Sequence, residues 1–326
     1  MIPAIHTREA PKVLKRAIVG VMILGGIGLA AALSPAAGDG AGGAASRGSG
    51  VFEPGEKLLK LAGNFAFTEG PAADPAGNVY FTDQPNDRIV KWSADGSVSD
   101  FMKPCGRSNG LCFDRDGRLL ACADGNNQLW SIDVATKKVD VLVKDYNGKL
   151  LNGPNDVWAA PDGSVYFTDP LYPRDYWKRD KSDQQGGRHV YHLSPDHKSL
   201  TRVIDDLKQP NGIVGTPDGK TLYVADINAN KTYAWDLSPE GKPTNKRLFC
   251  EMGSDGMTID AEGNVYLTGK GVTVFDKSGK KVDHVDVPED WTANVCFGGK
   301  DRRMLFITAS KGVYGIQTRT TGAGSQ

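Results

Sequence analysis

The chain has 326 residues, and its 39 lysines and arginines are balanced by 39 aspartates and glutamates, so the formal net charge at pH 7 is zero. Because a protein that binds nucleic acid needs a basic excess to displace phosphate counterions, this balance argues against nucleic acid as a partner. Hydrophobic residues at 39% and charged residues at 24% are typical of a folded body with an apolar core.

The amino-terminal segment has the composition of a targeting sequence. Three basic residues between positions 12 and 16 precede an apolar run over residues 17–33, and small residues follow it. This order predicts a secretory signal over residues 1–37, with export to the periplasm or the extracellular space. An uncleaved membrane anchor over residues 17–33 is the alternative, since the run approaches the length of about 20 residues that spans a bilayer. Residues 38–50 are rich in Gly, Ala and Ser, which predicts a flexible linker.

From residue 51 onward, a unit of two apolar strands joined by a tight turn recurs along the chain. Each turn contains a glycine, and these glycines are separated by 40, 46, 56 and 44 residues: Gly77, Gly117, Gly163, Gly219 and Gly263. A degenerate sixth unit follows at residues 295–309. Hairpins repeated every 40 to 50 residues or so are the signature of a β-propeller. The sequence therefore predicts an all-β fold, a six-bladed β-propeller over residues 51–318, and a disordered tail over residues 319–326.

The widest spacing between two turn glycines contains an insertion over residues 170–189 that is polar, aromatic and rich in turn residues. A long loop on a propeller face often forms a lid or carries specificity, and a solvated excursion without a role is the alternative. Its aromatic residues Tyr172, Tyr176 and Trp177 are expected either to stack on a ligand or to pack within the loop.

One position in each unit is polar, just before an apolar strand begins. Counting back eight residues from each turn glycine gives Glu69, Asn109, Asn155, Asn211 and Asp255, and Asn294 precedes the strand of the sixth unit. Equivalent positions in a propeller surround its central channel, so these six oxygen-bearing side chains are predicted to form a ring. A ring with two carboxylates suits a hard divalent cation, first Ca²⁺, with Mg²⁺, Mn²⁺ or Zn²⁺ as alternatives. Local turn formation by Asn and Asp explains some of these positions, but not the glutamate or the constant spacing.

Five short motifs carry a family resemblance: FTEGP at residues 67–71, LNGPND at 151–156, PNG at 210–212, SDGM at 254–257, and Asn294 followed by FGG at 297–299. In these motifs the sequence resembles the SMP-30/gluconolactonase/luciferin-regenerating-enzyme family, over residues 51–318. The resemblance implies a six-bladed propeller with a divalent cation in its central channel. The ligands it implies are Glu69, Asn155, Asn211 and Asp255.

The same resemblance implies where a substrate lies. Asn109 and Asn294 are outside the four-residue metal set and are expected either to support the metal ligands from behind or to contact the substrate. The regucalcin-like branch of the family carries a substrate-binding arginine where this chain has Gly153. Arg107, two residues before Asn109, is the candidate replacement.

The resemblance implies a carboxylic ester hydrolase that opens a sugar lactone, with a small-molecule lactone as its partner. The protein is separately expected to be a monomer. The cation is expected to polarise the lactone carbonyl, and Asp255 is expected to act as general base or as nucleophile. Hydrolysis of phosphotriesters or other esters on the same scaffold is one alternative, and a non-catalytic propeller that binds a ligand is another. Buried carboxylates are costly without a cation, which favours a working metal site over a decayed one.

Overall fold

The computed structural model describes residues 50–324, and this part of the chain contains six antiparallel sheets of four strands each. The strands in chain order are β1 (Leu59–Gly63), β2 (Thr68–Ala73), β3 (Val79–Asp83), β4 (Arg88–Trp92), β5 (Val98–Met102), β6 (Leu111–Phe113), β7 (Leu119–Ala123), β8 (Gln128–Ile132), β9 (Val139–Val143), β10 (Asp145–Tyr146), β11 (Lys149–Leu150), β12 (Val157–Ala159), β13 (Val165–Asp169), β14 (His189–Leu193), β15 (Leu200–Ile204), β16 (Pro210–Gly215), β17 (Thr221–Asp226), β18 (Lys231–Leu237), β19 (Pro243–Cys250), β20 (Met257–Ile259), β21 (Val265–Gly269), β22 (Gly271–Phe275), β23 (Lys281–Val285), β24 (Thr292–Gly298), β25 (Met304–Ala309) and β26 (Gly312–Gln317). Three 3₁₀ turns follow second strands of blades, at Gln84–Asn86, Asp124–Asn126 and Ile227–Ala229.

Each four-stranded sheet is one blade, and in five of the six blades the strands pair in chain order. The first strand of each blade contacts the first strands of both neighbouring blades, so these six strands surround a central channel: β2, β6, β12, β16, β20 and β24. The predicted all-β, six-bladed β-propeller is confirmed. The short hairpin of β10 and β11 stands apart from the blades as a two-stranded sheet.

The propeller is closed by strands from both ends of the described chain. The last blade pairs β24, β25 and β26 with β1, which comes from the amino-terminal side and forms the outermost strand. An isolated bridge between Phe52 and Thr318 extends this pairing.

The carboxyl-terminal segment continues past this closure and is hydrogen bonded to the fifth and sixth blades. Ala261 N donates to Thr321 O (2.9 Å), Gly322 N donates to Arg302 O (2.9 Å), and Ala323 N donates to Ile259 O (3.1 Å). The predicted disordered tail is therefore wrong for residues 319–324, because their backbone groups find partners on these blades.

The five turn glycines predicted from the repeat all occupy the left-handed region of the backbone. Their φ angles are 83° at Gly77, 75° at Gly117, 93° at Gly163, 68° at Gly219 and 85° at Gly263. In the first of these turns, Gly77 N donates to Asp74 O (2.9 Å), and the Asp74 side chain accepts from Asn78 N (2.9 Å). Glycine adopts this conformation without the steric penalty of a side chain, which is why it recurs at the tip of the inner hairpin.

The apolar core lies between adjacent blades. The second strands are buried almost throughout: every residue of β3, β7 and β13 is buried. Large side chains such as Tyr166, Phe81 and Phe306 are among the most deeply buried. Burial of apolar surface between neighbouring sheets is the main force that holds the blades together.

The predicted targeting segment (1–37) and linker (38–50) lie outside the described residues, except for Gly50. Within residues 50–324, no helix has the length and apolar character needed to cross a bilayer. The signal, the anchor and the place of export stay predictions.

Candidate active site in the central channel

Five of the six predicted ring residues lie where the first strands of successive blades begin. Bonds between blades tie these strand starts together: Thr82 Oγ1 donates to Asn109 O (3.0 Å), and Gly110 N donates to Asn155 O (2.7 Å). The ring residues are buried, apart from Asp255, which is partly exposed: Glu69, Asn109, Asn155, Asn211 and Asp255. The constant spacing in the sequence thus places these five side chains around one channel.

Glycine follows the ring residue in four blades because the next blade leaves no room for a side chain. These glycines are Gly70, Gly110, Gly212 and Gly256. A Cβ on Gly70 would lie 2.2 Å from Asn109 O, and one on Gly256 would lie 1.9 Å from Asn294 Cγ. Real Cβ atoms do not approach other atoms this closely. The narrowness of the channel, rather than a turn preference, explains these glycines.

In the other two blades, Asp156 and Asn294 stand in place of the glycine. Their backbone N–H groups make the same contact, since Thr168 Oγ1 accepts from Asp156 N (3.1 Å) and Thr308 Oγ1 accepts from Asn294 N (3.1 Å). Both side chains are buried, and both line the cavity that lies deeper in the channel. Together they fill the narrow part of the channel directly below the ring.

The ring position of the sixth blade is Ala293, so the prediction that Asn294 is a ring member is wrong. Ala293 O accepts from Thr268 Oγ1 (2.8 Å), just as Asn109 O accepts from Thr82 Oγ1 in the first blade. Asn294 lies one residue farther along the strand, at the level of Asp156. Its predicted contact with a substrate stays a prediction.

Below Asp156 and Asn294 the channel continues as a cavity of about 130 Å³, whose wall includes the side chains of Leu111, Trp158 and Met257. Arg302 and residues 322–324 also line it. None of the five ring residues described above lines this cavity, because Asp156 and Asn294 stand between them. The ring, not the cavity, therefore holds the chemistry.

Asn211 and Asp255 are held in fixed orientations by direct hydrogen bonds. Asn211 Nδ2 donates to Asp255 Oδ1 (2.8 Å) and to the Tyr172 hydroxyl oxygen (3.0 Å), and Trp291 Nε1 donates to Asp255 Oδ2 (2.5 Å). With its amide nitrogen engaged, Asn211 turns its Oδ1 to a buried position without a partner among the described residues. A buried acceptor left without a donor is costly, which indicates that another group binds this oxygen.

Glu69 and Asp255 are the two acids of the ring, of which Glu69 is buried and Asp255 is partly exposed. Burial raises the pKa of Glu69 well above its ordinary value, and the charges of Asp255 and Asp156 raise it further, whereas a hydrogen bond from Gly70 N lowers it. Burial also raises the pKa of Asp255, while hydrogen bonds from Trp291 and Asn211 lower it. A cation bound here would offset the repulsion by which the charge of Asp255 raises the pKa of Glu69.

The donor set fits a hard divalent cation. No group of three or more His, Cys, Asp or Glu side chains suited to a metal occurs in residues 50–324, so a cation here needs amide oxygens as well. The ring offers them: the Asn211 oxygen has no partner, and the side chain of Asn155 makes no hydrogen bond to any described residue. Two carboxylates and two amide oxygens match the ligand chemistry of calcium rather than that of thiolate-binding metals.

Arg107, the predicted substrate contact, has its guanidinium engaged elsewhere. Its Nη1 donates to Pro85 O (2.7 Å), and its guanidinium carbon lies 4.3 Å from the centre of the Tyr176 ring. The side chain therefore supports the wall of the site and clamps the inserted segment. Its predicted contact with a substrate stays a prediction.

The inserted segment, residues 170–188 between β13 and β14, folds back over the ring. Its anchor is Asp124, whose Oδ2 accepts from Trp177 Nε1 (3.2 Å) and Gln84 Nε2 (3.1 Å) and whose Oδ1 pairs with Arg179 Nη2 (3.3 Å). Trp177 is buried in this anchor, so it packs within the loop. Tyr172 instead reaches the ring through Asn211. The segment is thus a wall of the site and not a solvated excursion.

Four residues that the structure places near the ring were not among the predicted metal ligands or catalytic residues. Asp156 follows a ring residue directly, and its departure from the Asn-Gly pattern was the signal that could have found it. Trp291 and Arg174 lie in loops without periodicity, and Tyr172 was noted only as a candidate for stacking. A lone aromatic residue or arginine in a loop carries no mark of which partner the fold brings to it.

The chain matches the family model described as the SMP-30/gluconolactonase/LRE-like region over residues 67–311. It is 32% identical to the gluconolactonase of Zymomonas mobilis over 291 residues, covering 80% of this chain and 81% of that one. It is also 32% identical to regucalcin of Xenopus laevis over 244 residues, covering 72% and 79%. The solved structure of a gluconolactonase from Xanthomonas campestris superposes with a TM-score of 0.74 at 31% identity, covering 81% and 90%.

These matches span the propeller and include the motifs on which the resemblance rests. The family model alone covers most of the chain, and it begins at the motif that contains Glu69. The chain therefore belongs to the SMP-30/gluconolactonase/LRE-like family.

Proposed function

We propose that this protein is a metal-dependent lactone hydrolase that acts at the ring of the central channel. The observation that carries the proposal is the orphaned Asn211 oxygen, which shares the ring with the buried carboxylates of Glu69 and Asp255. The names of the relatives, two gluconolactonases among them, support a lactone as the substrate. The regucalcin relative supports a divalent cation.

The residues that would hold the cation are Glu69, Asn155, Asn211 and Asp255. When bound, a divalent cation supplies Lewis-acid polarisation of a substrate oxygen and neutralises the charge of the two carboxylates. Tyr172 and Trp291 fix the orientation of this set, because each makes a hydrogen bond to one of its members. The Asp156–Asn294 pair closes the channel below it.

Asp255 is the residue proposed to accept the proton of the attacking water. Both of its oxygens are oriented, Oδ1 by Asn211 and Oδ2 by Trp291, so its lone pairs point in fixed directions. Direct attack by Asp255 on the carbonyl would instead give an acyl-enzyme. A single turnover in ¹⁸O-water separates the two, because only attack by the side chain leaves label in Asp255.

The test is hydrolysis of D-glucono-δ-lactone by the protein, followed as proton release at constant pH after subtraction of the spontaneous rate. Treatment with EDTA is expected to abolish turnover, and added Ca²⁺ is expected to restore it. Asp255→Asn is expected to lower kcat by at least about a hundredfold, in line with the loss of a general base. Asp116→Asn, on an exposed hairpin turn, is the matched control and should retain full activity.

Full activity of Asp255→Asn would remove this residue from the mechanism. Turnover that survives EDTA would contradict the metal dependence. An inactive wild-type protein on a panel of sugar lactones, with calcium binding intact, would contradict lactone hydrolysis and favour the other esters or a binding propeller.

A further inference from the structure

The inserted segment places one positively charged side chain, that of Arg174, near the candidate active site without a salt-bridge partner among the described residues. The positive charge of Arg174 lowers the pKa values of Glu69, Asp255 and Asp124, so its guanidinium lies within the electrostatic reach of all three acids. Among residues 50–324 it forms no salt bridge with any of them. Its Nε is buried and has no hydrogen-bond partner there.

Arg179 and Arg107, the other two arginines of this neighbourhood, each donate a guanidinium hydrogen bond to a described residue, whereas Arg174 donates none, although the Nε of Arg179 is also buried without a partner. Arg179 pairs with Asp124 and also donates to Asn152 O (2.8 Å). Arg107 donates to Pro85 O. A buried guanidinium N–H group without an acceptor is costly, because water no longer solvates it. An arginine held in this state beside a cleft indicates an acceptor that arrives with a ligand.

Tyr172 fixes the place of this guanidinium relative to the ring. The guanidinium carbon of Arg174 lies 5.5 Å from the centre of the Tyr172 ring, and the Tyr172 hydroxyl accepts from Asn211 Nδ2. Arg174 is therefore one side chain away from a proposed metal ligand.

We infer that Arg174 is a substrate-binding residue whose guanidinium donates to the oxygens of the bound lactone and to the carboxylate formed when the ring opens. The inference rests on the proposed function. Hydrolysis joins the water oxygen to the carbonyl carbon and breaks the bond from that carbon to the ring oxygen, which takes up a proton. The acid formed then releases its proton at neutral pH, so a negative charge appears that the substrate lacked. The planar fork of arginine matches the two oxygens of a carboxylate.

The test is the affinity of the calcium-loaded protein for D-gluconate, measured by titration calorimetry. Arg174→Gln is expected to bind gluconate at least about tenfold more weakly, the loss typical of one charge-assisted hydrogen bond. Arg174→Lys should retain part of the affinity, because it keeps the charge but not the fork. Lys178→Gln makes the same charge change on an exposed side chain of the same segment and should bind like the wild type.

Calcium affinity separates a binding role from a structural one. Removing a positive charge near Glu69 and Asp255 should strengthen calcium binding, whereas collapse of the segment should weaken it. Unchanged gluconate affinity in Arg174→Gln, no gluconate binding by the wild type, or weakened calcium binding in the same variant would each overturn the inference. Because calorimetry needs no turnover, failure of the lactonase proposal and failure of this inference are distinguishable.

Discussion

The anchor of the inserted segment gives a prediction whose size follows from its contacts. Asp124 accepts hydrogen bonds from Gln84 and Trp177 and pairs with Arg179, and the pair is nearly buried, with the two side chains 7% and 12% exposed. Asp124→Ala removes one partner and leaves the guanidinium of Arg179 buried without a counter-charge. Breaking a buried pair in this way costs about 3–5 kcal/mol.

This cost falls on the closed state of residues 170–188 rather than on the whole propeller, because Asp124 links this segment to the second blade. Local segments open with their own free energies, below that of global unfolding. At tenfold for every 1.4 kcal/mol, a loss of about 3–5 kcal/mol raises the open population by about a hundredfold to several thousandfold. The melting temperature should change less than this local equilibrium.

Trypsin measures the opening, since Lys178 and Lys181 are exposed and lie within the segment. The digestion is run at pH 8, above the pKa of about 7 to which burial raises Asp124, so that the carboxylate is ionised. Cleavage after these lysines should be at least about a hundredfold faster in Asp124→Ala, because the rate follows the open population.

The double variant Asp124→Ala/Arg179→Met supplies the control. It leaves no buried charge unpaired, so its cleavage after the two lysines should be slower than that of the single variant. A single variant cleaved at the wild-type rate would refute the anchor. A double variant cleaved faster than the single one would refute the argument from the unpaired charge.

Three further predictions concern the ring and the layer below it. Gly256→Ala should destabilise the protein by about 1–3 kcal/mol through overpacking against Asn294, which is measured as a lower melting temperature. Gly256→Ala/Asn294→Ala should recover part of that stability, and equal losses in the two variants would contradict the steric argument. Trp291→Phe should lower kcat/KM by about tenfold by freeing Oδ2 of Asp255 while leaving the melting temperature unchanged, since the indole is 38% exposed; unchanged kinetics would remove Trp291 from the site. Glu69→Gln should raise the melting temperature in EDTA, because it removes a buried charge, and should abolish the increase that Ca²⁺ gives the wild type; a wild-type response to both would contradict the ligand role.

The fold was predictable because the inner hairpin of five blades closes with a local glycine turn that can be recognised in the sequence. The sequence from Asp74 to Gly77 forms its hairpin with its own hydrogen bonds, and this chemistry recurs at a spacing that only blades explain. The closure strand β1 was not predictable in the same way. Its sequence carries no glycine turn, and its partner β26 lies at the other end of the chain.

The ring residues were predictable in the five units where they lie at a constant spacing from the turn glycine. The error at Asn294 arose in the sixth unit, where this reference position is missing. The sixth unit replaces the short turn by a longer connection, so only the start of the apolar strand remained as a reference. In the other blades the ring residue stands two positions before the first apolar residue, and Ala293 satisfies this rule. Arg174 and Trp291, which come from loops, have no constant spacing from a turn glycine and were therefore not predictable in this way.

The glycine layer links the fold to the proposed chemistry. Where Gly70 and Gly256 let the starts of inner strands approach closely, the channel becomes narrow enough for side chains on different blades to meet. That approach is what brings Glu69 and Asp255 close enough for the charge of Asp255 to raise the pKa of the Glu69 carboxyl. Because glycine follows the ring residue in four blades, the side chains of Asp156 and Asn294 in the other two blades suffice to close the channel. The same close approach of the strands therefore closes the channel below the ring and brings together the carboxylates that favour a bound cation.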